Sequence, residues 1–285
     1  MTARTNRFQH ALNLGRISIC MCASFATIGG CAANPDPGLG YKIGHAWNNI
    51  VAGHVQEVET FTVPADGVLN VEVDNFAGHV VVYRDANATT GSIKAIRRGT
   101  HGLGHVNESQ HSLEEISVTY DLESRGDRQA IVVHTTTTHS QPWFQSVDLE
   151  IIVPRLGLVI VRTKQGSVKV TDFEDGVDIE SASGNVRAAT NSPITAPSTI
   201  LNKDGSINWR VPPNSAGSYQ MEAVNGEVRR RVRSGKWVST DSRNDHDSSY
   251  AILNNGTNLV ILRTVEGDIR VFVGKDPTET GSFID

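Results

Sequence analysis

The sequence predicts an all-β fold, a β-solenoid in which short strands stack in coils and the chain turns at a glycine in each coil. A pattern of apolar residues around a glycine occurs six times, at Gly78, Gly166, Gly184, Gly205, Gly226 and Gly267. From Gly166 to Gly226 the copies follow one another at intervals of 18, 21 and 21 residues. Repeats of this length that cannot bury their apolar face alone are typical of solenoids.

The register of the repeat requires a corner at the glycine. The fifth residue before the glycine is apolar in all six copies: Val73, Val161, Ile179, Ile200, Met221 and Leu262. The second residue after it is also apolar in all six: Val80, Val168, Val186, Ile207, Val228 and Ile269. These positions are seven apart, and a straight strand keeps one facing only over even steps. Both can therefore face one core only if the chain bends at the glycine, which reaches positive φ without strain.

A sandwich of antiparallel hairpins is the alternative fold. Asp204-Gly205 and Asn225-Gly226 are dipeptides that favour tight hairpin turns, and two of the six glycines belong to them. The near-constant spacing of the central copies favours the solenoid over this alternative. In either fold we expect one continuous β core over residues 68–273.

The first 30 residues have the pattern of an export signal. Arg4, Arg7 and Arg16 precede the uncharged run from Ile17 to Ile28, and no acidic residue occurs before Asp36. A basic segment, a short apolar segment and small residues make a secretory signal. Twelve helical residues span about 18 Å, which is too short for a bilayer core of about 30 Å.

The tetrapeptide Ile28-Gly29-Gly30-Cys31 resembles the bacterial lipobox, in which the cysteine receives lipid. This resemblance implies that the mature chain begins at a lipidated Cys31, is attached to the membrane by that lipid, and is held at the outer membrane in a cell with two membranes. Cys31 is the last cysteine of the chain. A blocked thiol without a second cysteine avoids unwanted disulfides in an oxidising compartment.

The remaining domain boundaries follow from composition. Residues 31–55 are rich in Gly, Pro and Asn and are interpreted as a flexible tether. Residues 56–274 form the β domain, and 275–285 form a polar tail that we expect to be frayed. Within the domain, residues 83–157 break the repeat but alternate like strands, and 99–115 are expected to form a loop because Gly102 and Gly104 oppose a helix.

The six glycine-centred copies, together with the run VDLEIIVPRLGLVIVRTKQGSVKV, resemble the DUF4097 family over about residues 68–273. Members show a strand ending in proline, followed by copies of strand, Ser or Thr, Gly and strand. The resemblance implies an all-β, solenoid-like domain of bacterial envelope proteins, with the name adhesin but no assigned activity and no catalytic residues to transfer.

Charge and motifs restrict the function further. The formal charge is −5, and loss of the three signal arginines leaves 23 basic and 31 acidic residues, or −8, which argues against a nucleic-acid partner. No nucleophile or phosphate-loop motif occurs.

Five histidines lie in segments that favour surface loops over a metal site: His101, His105, His111, His134 and His139. The acidic stretch DFEDGVD, residues 172–178, is interpreted as a solvated turn because it matches no calcium-loop pattern.

One outward position is unusual in being basic. The third residue after the repeat glycine is Lys169, Arg187, Arg229 or Arg270 in four of the six copies. In stacked coils these residues form a ladder, either as a salt-bridged exposed face or as a surface for an anionic polymer or head group.

We expect a non-catalytic envelope lipoprotein that serves as a scaffold or binding domain for an envelope polymer or another protein, without cofactor or metal. A carbohydrate-active β-helix enzyme is the alternative.

Overall fold

A computed structural model of the chain describes residues 54–64, 67–240 and 246–279, all within one compact unit that comprises residues 43–285. The described residues form two large sheets. Each coil contributes one strand to each sheet, so that the sheets face each other across a shared core. The predicted all-β solenoid class is confirmed.

Six coils carry the repeat glycine between their two strands. The six strand pairs are β2 (Leu69–Asn75) and β3 (Val80–Arg84), β8 (Leu156–Thr163) and β9 (Val168–Thr171), β10 (Val177–Ser183) and β11 (Val186–Ala189), β12 (Ser198–Asp204) and β13 (Ile207–Val211), β14 (Gly217–Asn225) and β15 (Val228–Val232), and β18 (Leu259–Glu266) and β19 (Ile269–Val273). A further coil within the described residues joins β6 (Arg128–Thr137) to β7 (Gln145–Val153) through the 3-10 helix η1 (Pro142–Phe144).

The other elements lie at the two ends of the stack. They are β1 (His54–Val63), β4 (Gly91–Thr100), the helix α1 (Val106–Glu114), β5 (Ile116–Arg125), β16 (Trp237–Ser239) and β17 (Ser248–Leu253). The first sheet has the order β1-β4-β7-β3-β9-β11-β13-β19-β15, and the second has β16-β17-β14-β18-β12-β10-β8-β2-β6-β5. Strands of neighbouring coils pair in parallel, and the strands at the ends pair antiparallel.

This topology rejects the hairpin sandwich. Asp204-Gly205 carries the chain from β12 in the second sheet to β13 in the first, and Asn225-Gly226 does the same between β14 and β15. Neither dipeptide joins two paired strands. The order of the coils differs from the order of the chain at both ends, because β2–β3 lie between β6–β7 and β8–β9, and β18–β19 lie between β12–β13 and β14–β15.

The core consists of the inward residues that the repeat predicts. Val73, Val161, Ile179, Ile200 and Leu262 are fully buried, and Met221 is nearly so. After the corner, the apolar residue is also buried in every copy except Val228, which belongs to the terminal coil and is partly exposed. Trp209, Phe173 and Tyr219 are the largest of the fully buried side chains.

The repeat glycines form a column in which five of the six are required twice, for their backbone conformation and for the space that a Cβ atom would occupy. Five of the six have φ between +111° and +130°, which side chains rarely adopt; Gly226, in the terminal coil, does not. At every repeat glycine except Gly78, an added Cβ atom would lie 2.0–2.6 Å from the carbonyl oxygen of the repeat glycine in the neighbouring coil. Only glycine therefore permits the coils to approach this closely.

Small polar residues three before the glycine, such as Asn202 and Thr264, hydrogen-bond to the backbone of the corners. Asn202 Nδ2 donates to the carbonyl oxygens of Gly184 at 2.9 Å and Gly205 at 2.8 Å. The hydroxyl of Thr264 donates to Gly205 O at 2.8 Å. Since buried carbonyls need partners, the polar side chain at this inward position compensates for backbone that the turn leaves unpaired.

The expectation of a loop at 99–115 is wrong, because residues 106–114 form α1. Gly102 and Gly104, with φ of +87° and +83°, lie before the helix and not inside it. Ser109, Ser112 and Leu113 are buried, and α1 contacts β1 and β4. The helix is thus stabilised by packing against the sheet, which its weak apolar pattern did not predict.

Candidate functional site

The structure places the four predicted basic residues in one column on the outward face of the first sheet. Parallel register pairs Lys169 with Arg187, Arg187 with Asn208, Asn208 with Arg270, and Arg270 with Arg229. Neighbouring strands are about 4.8 Å apart, so the column extends over about 19 Å. We call Lys169, Arg187, Arg270 and Arg229 the basic column; Asn208 interrupts it.

The two halves of the basic column differ in how their charges are neutralised. Arg270 Nη2 lies 3.2 Å from Asp268, and Arg229 Nη2 lies 3.0 Å from Glu227, in each case an acid two residues earlier. Lys169 and Arg187 form no ion pair with any residue that the structure describes. The Nε of Arg187 is buried without a hydrogen-bond partner. Unneutralised positive charge is therefore concentrated at Lys169 and Arg187.

Arg210 adds positive charge close to Arg187. It lies two residues after Asn208 on β13. It is only 5% exposed, because the C-terminal segment, residues 274–279, covers it. Its Nη1 donates to the carbonyl of Glu279 at 2.8 Å, and its guanidinium lies 4.9 Å from the centre of the Phe272 ring. Burial, and secondly the charge of Arg187, lower the pKa of Arg210. Sequence analysis missed Arg210, although its parity with Asn208 indicates an outward side chain.

The C-terminal segment is attached to this face as far as residue 279. Asn191 Nδ2 donates to Thr278 Oγ1 at 2.7 Å, next to the contact between Arg210 and Glu279. Thr278 and Glu279 of the predicted frayed tail are thus hydrogen-bonded to the solenoid. Residues 280–285 lie outside the described residues.

The predicted surface histidines divide into two groups. His105 and His111 are exposed and lie near Glu108 and Glu114 on or beside α1. His101 is half-buried, stacks on Phe144 with ring centres 4.3 Å apart, and has its ring centre 5.6 Å from that of His139. Burial, and secondly the charge of His139, lower the pKa of His101.

The other histidine and the acidic stretch have ordinary partners. His134 Nδ1 lies 3.9 Å from Asp74. In the acidic stretch, Asp172 accepts hydrogen bonds from Asn191, and the other three carboxylates lie against arginines, as the pairs Glu174–Arg155, Asp175–Arg128 and Asp178–Arg162. No group of three or more His, Cys, Asp or Glu side chains is arranged to hold a metal ion in the described part of the chain.

The predicted export signal, residues 1–30, and the lipidation site Cys31 lie outside the described residues. So does most of the predicted tether, 31–55; β1 begins inside its last two residues, at His54. Among the residues that the structure covers, no helix is long and apolar enough to cross a membrane.

Comparison with known proteins finds a family match over part of the chain. Residues 145–272 match the family described as Toastrack DUF4097, which confirms the predicted resemblance over that range; residues 68–144 lie outside the match. No curated protein matches the sequence.

Several solved structures resemble the fold of this chain, at low sequence identity. A "putative cell adhesion protein" from Clostridium sporogenes is 8% identical with a TM-score of 0.49, over 77% of this chain and 99% of that one. A "putative adhesin" from Bacteroides fragilis is 9% identical with a TM-score of 0.30, over 76% and 97% of the two chains. At these scores the likeness supports no inference about what this chain binds.

Proposed function

We propose that this chain, whose residues 145–272 match the Toastrack DUF4097 family, is a non-catalytic scaffold of the cell envelope that binds an anionic polymer on its basic column. The observation that carries the proposal is the alignment of four cationic residues, from four separate repeats, on one face of a chain with net negative charge. A negatively charged chain binds anions only where positive charge is locally concentrated.

The geometry favours an extended ligand over a compact one. A column of about 19 Å that follows the solenoid axis offers its charges at regular strand spacings. Each exposed contact contributes little, and a polymer that touches several at once adds these contributions together. Lys169 and Arg187 can neutralise the ligand's charge without first losing an ion pair within the described residues.

The attachment to the envelope is the second part of the proposal. The lipobox-like tetrapeptide ending at Cys31 supports lipidation at that cysteine, with the outer membrane as the destination in a cell with two membranes. Ala32 follows the cysteine, in place of the aspartate that retains many such proteins at the inner membrane. Mass spectrometry of the protein from its native membrane tests this directly: an unmodified Cys31 refutes lipidation, and Cys31→Ser is expected to abolish both cleavage and membrane attachment.

The ligand is sought on an array of glycans and anionic envelope polymers, at low and at physiological salt. Exposed charges are screened beyond about 8 Å at physiological ionic strength, so binding through the column should weaken with salt. Reducing-sugar release is measured on the same polymers. Turnover of any of them would replace the scaffold by the alternative, a carbohydrate-active enzyme.

The decisive comparison uses two quadruple Gln variants with the same change in charge. The test variant replaces Lys169, Arg187, Arg229 and Arg270. The control replaces Arg125, Arg128, Arg155 and Lys236, which lie on or beside the second sheet. With folding verified by circular dichroism, we expect the test variant to lose salt-sensitive binding and the control to retain it. Equal losses in both variants would refute the basic column as the site.

A further inference from the structure

A trough crosses the outward face of the second sheet beside the glycine corners. Side chains four residues before each glycine form one wall, and those two residues before it form the other. The backbone of the inward residues between them, such as Ser181 and Asn202, forms the floor. The trough has a volume of about 660 Å³ and extends over the six neighbouring strands β2, β8, β10, β12, β18 and β14. At the usual strand spacing its length is about 24 Å.

Three apolar side chains of the trough are exposed. Leu201, Val265 and Val224 are 37%, 42% and 55% exposed, and they lie on the three adjacent strands β12, β18 and β14. Outward positions of an exposed sheet normally carry polar residues, so neighbouring exposed apolar side chains indicate a surface that binds something. The volume is within the range of pockets for small ligands, about 300–1,000 Å³.

The trough also carries positive charge that is not neutralised. In the wall four residues before the glycine, the arginines have partners: Arg162 Nε is 3.4 Å from Glu180, and Arg263 Nε is 3.4 Å from Glu222. In the opposite wall, Lys164 and Lys203 lie on either side of Ala182, about 9.6 Å apart by strand spacing. Neither lysine forms an ion pair within residues 54–64, 67–240 and 246–279.

We propose that this trough binds an amphiphile with a single acyl chain and an anionic head group. The acyl chain lies along Leu201, Val265 and Val224, which removes apolar surface of both partners from water. The head group lies between Lys164 and Lys203, whose ammonium groups gain the partner that the fold does not supply. The site is on the opposite sheet from the basic column and does not depend on it.

The binding assay is calorimetric titration of the purified full chain with dodecanoate below its micelle concentration. Dodecyl phosphate, in a second arm, distinguishes a phosphate from a carboxylate head group, and the uncharged glycerol ester of dodecanoate isolates the contribution of the chain. Val265→Asn is expected to weaken binding of all three by about three- to tenfold, since it removes apolar contact. The matched control is Val238→Asn on β16, also 42% exposed but outside the trough, which is expected to leave binding unchanged.

The double variant Lys164→Gln and Lys203→Gln tests the head group. It should weaken dodecanoate or dodecyl phosphate by about tenfold, because two charge contacts are lost, and leave the glycerol ester unaffected. Absence of binding by the wild type, equal effects of Val265→Asn and Val238→Asn, or an equal loss for the uncharged ester would each overturn the proposal. Binding of an extended apolar peptide but of no acyl chain would assign the trough to a protein partner instead and overturn it too.

Discussion

Replacing Gly205 with alanine tests the column of glycines on which the stacking of the coils depends. Gly205 has φ of +130°, and an added Cβ would lie 2.3 Å from Gly184 O. Ordinary contact begins at 3.4 Å, so the two coils must separate locally by about 1.1 Å. The movement acts on backbone, which cannot yield as the end of a flexible side chain can.

The expected loss of unfolding free energy follows from these contacts. A side chain held in this region of φ costs about 1–3 kcal/mol. Separation of the coils also stretches the hydrogen bond from Asn202 Nδ2 to Gly184 O, now 2.9 Å, whose net contribution is about 1 kcal/mol. We therefore expect Gly205→Ala to destabilise the protein by about 2–4 kcal/mol.

Urea unfolding followed by circular dichroism measures the effect, and Gly126→Ala is the matched control. Gly126, between β5 and β6, also has a positive φ, of +68°, but a Cβ there would meet nothing within 4 Å. The control therefore reports backbone strain alone, about 1 kcal/mol. If Gly205→Ala lowers the free energy of unfolding no more than Gly126→Ala does, the close approach of the coils does not contribute and the reasoning is refuted.

Two further predictions concern groups with shifted pKa values. The lowered pKa of His101 means that the unfolded chain binds its proton more readily, so stability should fall as the pH drops below about 6.5 and through the lowered pKa. His101→Phe should remove part of that dependence, whereas His111→Phe, at a 74% exposed side chain, should not; superimposable pH–stability curves for wild type and His101→Phe would exclude the effect. Burial raises the pKa of Tyr219 to about 12, so the stability that its neutral form contributes is lost only as the pH rises above 10 and through 12. Ultraviolet titration should show a tyrosine that ionises near pH 12 and whose signal is missing in Tyr219→Phe; an unchanged titration curve in Tyr219→Phe above pH 11 would contradict its burial.

The corners of the solenoid could be predicted because their causes are local and periodic. A glycine is needed wherever the chain turns at positive φ, and the apolar residues before and after it must face one core. These requirements recur in each copy. One copy alone would be a weak indication of a corner, but six copies in the same register make a strong one. The same parity also placed the basic column on the outward face.

The order of the coils could not be predicted from the repeats. Each coil presents a similar row of inward apolar residues, so the local pattern does not specify which coil becomes its neighbour. The placement of β18–β19 between β12–β13 and β14–β15 depends on the antiparallel strands β16 and β17, which direct the chain back along the stack. The helix α1 is a similar case, because contact with β1 and β4 and not its own periodicity stabilises it.

The strand period, the glycine corners, the inward core and the outward basic residues follow from the amino-acid sequence alone, because each is a property of a short segment and its side-chain alternation. Which charges remain unpaired, and which apolar residues become neighbours, depends instead on the tertiary structure. Arg210 is buried by a segment that begins after β19, and Leu201, Val224 and Val265 meet only because strands from three separate repeats pair in register. Burial and ion pairing depend on what lies across the sheet, and that is fixed by long-range pairing and not by the neighbours of a residue along the chain.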